Sequence, residues 1–90
     1  MFSINVNLFD FGQVTKIRDK SYIKSFGKNL RAIRTAKDLS QEELAYAVDI
    51  PINQIGRIER GEVNTTISTI LVISRALKVA PKELLSFDFK

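Results

Sequence analysis

The chain has 90 residues, enough for one domain, and 44% of them are hydrophobic, which permits a modest core. It contains no Cys, which excludes a disulfide framework and thiolate metal sites, and no His, the commonest metal ligand and general base. We therefore expect no metal, no cofactor and no enzymatic activity. The formal net charge of +4 favours a polyanionic partner only weakly, because the positive charges are spread along the chain.

The sequence gives no sign of membrane insertion. Its longest apolar run, residues 70–73, is far too short to span a bilayer, and the N-terminus lacks a basic region followed by an apolar stretch. The expected location is the cytoplasm.

Residues 1–20 are predicted to form an N-terminal arm. Within residues 1–14, apolar and polar residues alternate as in a β-strand, and Gly12 bounds the alternation. The apolar members are Phe2, Ile4, Val6 and Leu8. The arm is either disordered or a short strand, and a lone strand would have to pair with its counterpart in a dimer.

A first helix is predicted over about residues 21–37 from apolar residues at helical spacing. The predicted buried stripe consists of Tyr22, Phe26, Leu30 and Ile33. The basic residues expected to stay in solvent are Lys24, Lys28, Arg31 and Lys37.

Residues 40–61 have the sequence SQEELAYAVDIPINQIGRIERG, which predicts two short helices joined by a tight turn. Ser40 can cap the first helix and Glu43 completes a capping box, so this helix should begin at Gln41. Its apolar face consists of Leu44, Ala45 and Val48. Pro51 cannot donate a backbone hydrogen bond and disfavours helical dihedrals in the preceding residue. The first helix should therefore end near residue 48 or 49.

The second helix should run over about residues 52–60. Ile55 and Ile58 continue the apolar face. Arg60 complements the negative end of the helix dipole, and Gly61 suits the position after a helix. Two short helices across such a turn are typical of a helix-turn-helix motif.

This motif resembles that of the phage repressor and Cro-like helix-turn-helix proteins, the XRE family. The matching residues are SQEELA at 40–45, Ile55, and IERG at 58–61, within a resemblance that spans residues 26–85. It implies an all-α, five-helix, λ-repressor-like DNA-binding domain over residues 21–86, with the motif at 41–60 and a tail at 87–90. Similar proteins commonly carry Gly with positive φ where this chain has Asp38 and Asp49, and Asp tolerates that conformation better than most residues.

Beyond Gly61, a polar loop leads to a helix capped by Thr65 or Thr66, which is predicted to be nearly all core. Its apolar residues are Ile67, Ile70, Leu71, Ile73 and Leu77. The resemblance implies a short fifth helix, and Pro81 suits its first position. The apolar residues that would either form a homodimer interface or fold back onto the core are Leu84, Leu85, Phe87 and Phe89.

The resemblance implies that the second helix of the motif enters the major groove of DNA and that its first residues meet base edges. Carried over position by position, the base-contact residues are Pro51, Ile52, Asn53, Gly56 and Arg57. A guanidinium can bond both acceptors of guanine, so Arg57 is the strongest candidate, and its alternative is a plain surface charge. Asn53 can bond adenine in the same two-pronged way. Ile52 could pack on a thymine methyl group.

Similar proteins use a Gln at the start of the first motif helix to bind phosphate, which implies that role for Gln41, with helix capping as the alternative. The other phosphate candidates are Arg60, Asn64 and Lys28, the last together with Lys24. The resemblance also implies a structural ion pair between Arg34 and Glu59, which removes Glu59 from the catalytic candidates.

The predicted function is a sequence-specific transcriptional regulator that binds double-stranded DNA as a homodimer, on a pseudopalindromic operator with half-sites about 10 base pairs apart. No small-molecule ligand is expected. Control by concentration is expected, as in Cro-like proteins or restriction-modification controllers. Two alternatives keep the fold: an antitoxin that binds a protein partner through the N-terminal arm or the Phe-rich tail, and a protein-interaction module without DNA binding.

Overall fold

The computed structural model describes residues 17–89, which form five α-helices and no strand. The helices are α1 (Lys20–Ala36), α2 (Gln41–Val48), α3 (Ile52–Glu59), α4 (Ile67–Leu77) and α5 (Pro81–Leu84). The predicted all-α, five-helix fold is thus confirmed within this range. The strand predicted in residues 1–14 lies outside the described residues.

Helix α1 begins and ends one residue earlier than predicted. The Asp19 carboxylate caps its first turn by accepting a hydrogen bond from the Tyr22 backbone N–H at 2.9 Å. The prediction that Tyr22 belongs to the buried stripe is wrong, because this side chain is 36% exposed. Ile23 takes the core position instead, since residues 23, 26 and 30 share one face at helical spacing and all three are buried.

The boundaries of the helix-turn-helix follow local signals in the chain. The Ser40 hydroxyl accepts a hydrogen bond from the Glu43 N–H, and the Glu43 carboxylate accepts one from the Ser40 N–H, each at 2.9 Å. The predicted capping box is therefore present. Asp38 and Asp49 have φ values of 61° and 57°, so both adopt the left-handed conformation that favours Gly.

Two glycines bring α1 and the end of α3 into close contact. A Cβ on Gly27 would lie 2.5 Å from the carbonyl oxygens of Ile58 and Glu59, so the two backbones touch directly. Gly61 has a φ of 75°, and a Cβ there would lie 2.6 Å from Cγ of Lys24. These contacts set the direction in which the outer face of α3 points relative to α1.

The core receives side chains from all five helices. Its largest fully buried apolar side chains are Leu30, Leu44, Ile55, Ile58, Ile73, Leu77 and Leu84. The prediction that Leu84 lies in a dimer interface is therefore wrong. Short α5 folds back so that the Asn29 amide on α1 donates to the carbonyl oxygens of Glu83 and Leu84, both at 2.9 Å.

Helix α4 is less buried than predicted. Thr66 caps it, because its hydroxyl accepts a hydrogen bond from the Thr69 N–H at 3.1 Å. Ile67 is 85% exposed and Leu71 is also exposed. The helix is not nearly all core, because only one of its faces packs against α2 and α5.

The C-terminal aromatic residues lie beside α1. Tyr22 packs against Phe87 and Phe89, with ring centroids 5.1 and 4.9 Å apart. Phe87 is half-buried against the core, whereas Leu85 and Phe89 remain exposed. Of the four residues predicted for a dimer interface, only Leu85 and Phe89 thus present substantial apolar surface.

Candidate nucleic-acid interface

Helix α3 has a buried face and an exposed face. Ile55 and Ile58 are packed in the core. On the opposite side, the exposed base-contact candidates are Pro51, Ile52, Asn53 and Arg57. The first turn of α3 and one arginine in its last turn are therefore open to a partner.

Gly56 does not lie on this exposed face, and the prediction that it does is wrong. It is buried, and a Cβ at this position would lie 3.0 Å from Nη1 of Arg60 and 3.7 Å from Oε1 of Gln41. The Arg60 side chain folds back along α3 and covers the glycine. Arg60 and not Gly56 thus contributes the outer surface at this point.

A buried hydrogen-bonded network anchors α3 to α1 and α2. Arg34 Nε lies 2.6 Å from Glu59 Oε2, and Arg34 Nη2 donates to Glu59 Oε1 at 3.0 Å. Both residues are only 6% exposed. Arg34 Nη1 donates to the Leu39 carbonyl at 2.7 Å, and Gln41 Nε2 donates to Glu59 Oε1 at 2.9 Å. The ion pair expected from the resemblance is present, and hydrogen bonds to the Leu39 carbonyl and from Gln41 extend it into a network.

The network stabilises the charged form of Arg34 and engages one N–H of the Gln41 side chain. Its hydrogen bonds to Glu59 raise the pKa of Arg34 above its ordinary value, although burial acts in the opposite direction. Gln41 is a predicted phosphate contact through its side chain and backbone N–H, and its amide nitrogen already donates one hydrogen bond to Glu59. The amide nitrogen has two N–H donors, so a phosphate contact from this residue has to use the second of them or the backbone N–H.

One carboxylate beyond α3 joins two arginines of the candidate surface. Glu62 Oε2 accepts a hydrogen bond from Arg60 Nε at 2.7 Å, and Glu62 Oε1 lies 3.7 Å from Arg57 Nε. The hydrogen bond from Arg60 is the main reason that the pKa of Glu62 is lowered, and the same bond raises the pKa of Arg60. The sequence analysis did not identify Glu62, although an acidic residue this close in the chain to Arg57 and Arg60 indicates ion pairing with them.

A basic edge of α1 borders the same surface. Exposed Lys24, Lys28 and Arg31 lie on one face of α1 and line a groove whose other wall is formed by residues 59–62. Lys28, a predicted phosphate contact, thus lies on the side of the molecule that carries Arg60. Asn64, another predicted contact, is exposed in the loop before α4.

No helix within residues 17–89 is long and apolar enough to cross a membrane. The same residues contain no group of three or more acidic side chains arranged to hold a metal ion.

Comparison with known proteins identifies the family. A family model described as helix-turn-helix matches residues 30–84, which include all of α2, α3, α4 and α5. The chain belongs to the helix-turn-helix family. The resemblance drawn from the sequence motif is thereby confirmed.

This helix-turn-helix protein is similar to several control proteins. Control protein C.BamHI of Bacillus amyloliquefaciens is 46% identical over 63 residues, which are 69% of this chain and 78% of the relative. The restriction-modification controller protein C.AhdI of Aeromonas hydrophila superposes with a TM-score of 0.68 at 42% identity, covering 69% of this chain and 94% of that one.

A third relative has been solved with DNA. The restriction-modification controller protein C.Esp1396I, a tetramer in complex with its natural 35-base-pair operator, superposes with a TM-score of 0.65 at 28% identity. The superposition covers 76% of this chain and 100% of that chain. The individual base, phosphate and dimer contacts named for this helix-turn-helix protein stay predictions.

Proposed function

We propose that this helix-turn-helix protein is a sequence-specific, DNA-binding transcription regulator that controls a restriction-modification system. The observation that carries the DNA-binding proposal is the arrangement of α3, and similarity to the controller proteins C.BamHI and C.AhdI supports the restriction-modification role. The inner face of α3 is locked by Ile55, Ile58 and the Arg34–Glu59 network, and its outer face presents Asn53 and Arg57 to solvent. An anchored helix with exposed polar side chains of this type can enter the major groove of DNA and bond base edges.

Arg57 and Asn53 are assigned to base contacts. The guanidinium of Arg57 bonds O6 and N7 of guanine, and the amide of Asn53 bonds N6 and N7 of adenine. Ile52, which is about half exposed, packs on a thymine methyl group. Exposed Pro51 lies beside them at the start of α3. Direct reading of the operator thus depends on few side chains.

The phosphate contacts are assigned to the residues around α3. Lys28 and Arg60 flank the groove between α1 and residues 59–62, and Asn64 follows in the loop. Gln41 adds its backbone N–H at the positive end of the α2 dipole. These contacts position the protein on the duplex without selecting a sequence.

The protein acts as a homodimer on a pseudopalindromic operator, with half-sites about 10 base pairs apart so that both copies of α3 face the same side of the duplex. Exposed Leu85 and Phe89 form the proposed dimer surface. Its site of action is the cytoplasm, where its DNA target lies. We assign Glu59 a structural role and not a catalytic one, since its buried carboxylate is bound by Arg34 and Gln41.

The test is selection of bound sites from random-sequence duplex DNA. The wild-type chain should enrich a palindromic site. Arg57→Ala should relax the preference for one guanine in each half-site, at a cost of about 1–3 kcal/mol. The matched control is Arg75→Ala, which removes an exposed arginine from α4, outside the motif. Binding without any enriched site in the wild-type chain would refute the proposal and favour a protein-interaction role.

A further inference from the structure

The two exposed arginines of the candidate surface share one carboxylate. Arg60 donates to both oxygens of Glu62, from Nε at 2.7 Å and from Nη2 at 3.5 Å. Arg57 Nε lies 3.7 Å from Glu62 Oε1. The three side chains retain between 48% and 60% of their exposure, so this cluster lies on the surface and contributes little to the stability of the fold.

The backbone holds Glu62 in this position. Its N–H donates to the Arg57 carbonyl at 2.9 Å, and its carbonyl accepts a hydrogen bond from Arg18 Nη2 at 3.0 Å. Gly61, with a φ of 75°, turns the chain so that residue 62 returns alongside the end of α3. The backbone therefore keeps the Glu62 carboxylate within reach of both arginines.

Glu62 engages Arg57 through Nε and leaves its other donors available. A guanidinium has five N–H donors, and guanine requires two of them. No described residue forms a hydrogen bond with the Nη groups of Arg57. The carboxylate lies on the Nε side of the guanidinium, so the outer edge of Arg57 stays open to a base.

The Glu62 carboxylate repels DNA phosphate. A DNA phosphate that approaches Arg57 or Arg60 also approaches the negative charge of Glu62, which remains ionised because Arg60 bonds it. Arg60 must either release Glu62 or bring two anions together. Guanine carries no net charge and meets no such penalty.

We propose that Glu62 is a specificity-determining residue, which keeps Arg57 for base-edge contact and weakens the contacts of Arg57 and Arg60 with DNA phosphate in general. The inference rests on the proposed DNA-binding function. It predicts that Glu62 favours the operator over other DNA by penalising sequence-independent binding, which depends on phosphate neutralisation.

The experiment measures the dissociation constants of the 90-residue wild-type chain and of its Glu62→Gln variant for two duplexes at several salt concentrations. One duplex carries the site selected by the wild-type chain, and the other has the same length and composition in scrambled order. Glu62→Gln should bind the scrambled duplex more tightly, with a slope of log K against log salt steeper by about one phosphate contact. Discrimination between the two duplexes should fall about tenfold.

The matched control is Glu42→Gln, which removes the same charge from an exposed position on α2 whose side chain forms no ion pair with the described residues. Equal tightening of both duplexes by Glu62→Gln, or an equal loss of discrimination in both variants, would overturn the inference, because Glu62 would then act only through net charge. A wild-type chain that prefers neither duplex would instead refute the proposed function, and this inference with it, before any variant is compared.

Discussion

Arg34 on α1 and Glu59 on α3 form a buried, doubly hydrogen-bonded ion pair that determines how the exposed face of α3 is presented. Each side chain is less than a tenth exposed, so neither charge has water as an alternative partner. Gln41 and the Leu39 carbonyl satisfy further hydrogen-bonding groups of the pair. Removal of one member would therefore leave the other charge buried and uncompensated.

We predict that Arg34→Ala lowers the free energy of unfolding by about 3–5 kcal/mol, because Glu59 would lose its partner in a buried site. Urea denaturation followed by circular dichroism measures this loss. Arg31→Ala, which removes an exposed arginine from the same helix, should change stability by no more than about 0.5 kcal/mol. Similar small losses in both variants would show that the pair adds little to stability.

Gly27→Ala and Gly56→Ala should have opposite effects on stability, although both replace a glycine inside a helix. At Gly27 the new methyl group would meet two backbone carbonyls at 2.5 Å, which cannot move without separating α1 from α3, so we expect a loss of about 1–3 kcal/mol. At Gly56 it would meet only the end of the Arg60 side chain, at 3.0 Å. The helix propensity of Ala should then stabilise the domain by up to about 1 kcal/mol. Thermal unfolding of the two variants measures the difference, and equal destabilisation would contradict the assigned contacts.

Asp49→Gly should raise the melting temperature, because Asp49 has a φ of 57° and Gly adopts this conformation without strain. The expected gain is about 0.5 kcal/mol after the greater chain entropy of Gly in the unfolded state is deducted. Lys78→Gly, at a φ of 59°, should stabilise for the same reason. Ala47→Gly, in the last turn of α2, is the control and should destabilise by up to about 1 kcal/mol. An unchanged or lower melting temperature for Asp49→Gly would argue against strain at this turn.

The capping box should make stability depend on pH in the acidic range. The backbone hydrogen bond from Ser40 lowers the pKa of Glu43 in the folded state. A lowered folded-state pKa gives stabilisation that is present above the unfolded-state pKa and is lost as pH falls through the folded-state pKa. Glu43→Gln can still accept from the Ser40 N–H but does not titrate. The stability advantage of wild type over this variant, measured by thermal unfolding, should shrink between about pH 7 and about pH 3. An advantage that stays constant or grows on acidification would contradict the assignment.

Leu85→Ser should weaken the proposed homodimer. Leu85 and Phe89 are 42% and 41% exposed. In a two-fold symmetric interface, one substitution removes the apolar side chain from both subunits of the dimer. The dimer dissociation constant from sedimentation equilibrium should rise about tenfold or more. Ile67→Ser is the comparison, since Ile67 is an exposed apolar residue on α4. Dissociation caused by Ile67→Ser but not by Leu85→Ser would place the interface on α4.

Local sequence determined the helix boundaries of the motif and the conformation of its turns. The capping box, the break at Pro51 and the left-handed residues all depend on groups within about four positions of one another, so their effects can be derived before any tertiary contact is known. The motif alone also identified the family, because its residues combine a helix cap, a turn and a buried face at a spacing that few other folds share.

Tertiary structure alone decided which side chains are available to a partner. Leu84 became buried because α5 folds back onto α1 and α4, a contact between segments far apart in the chain. Arg60 covers Gly56, and Glu62 pairs with Arg57 and Arg60, within six positions of the chain, so their spacing permits these contacts but does not fix the side-chain conformations that form them. Exposure and charge pairing depend on distances in three dimensions, which helical spacing along one segment does not contain.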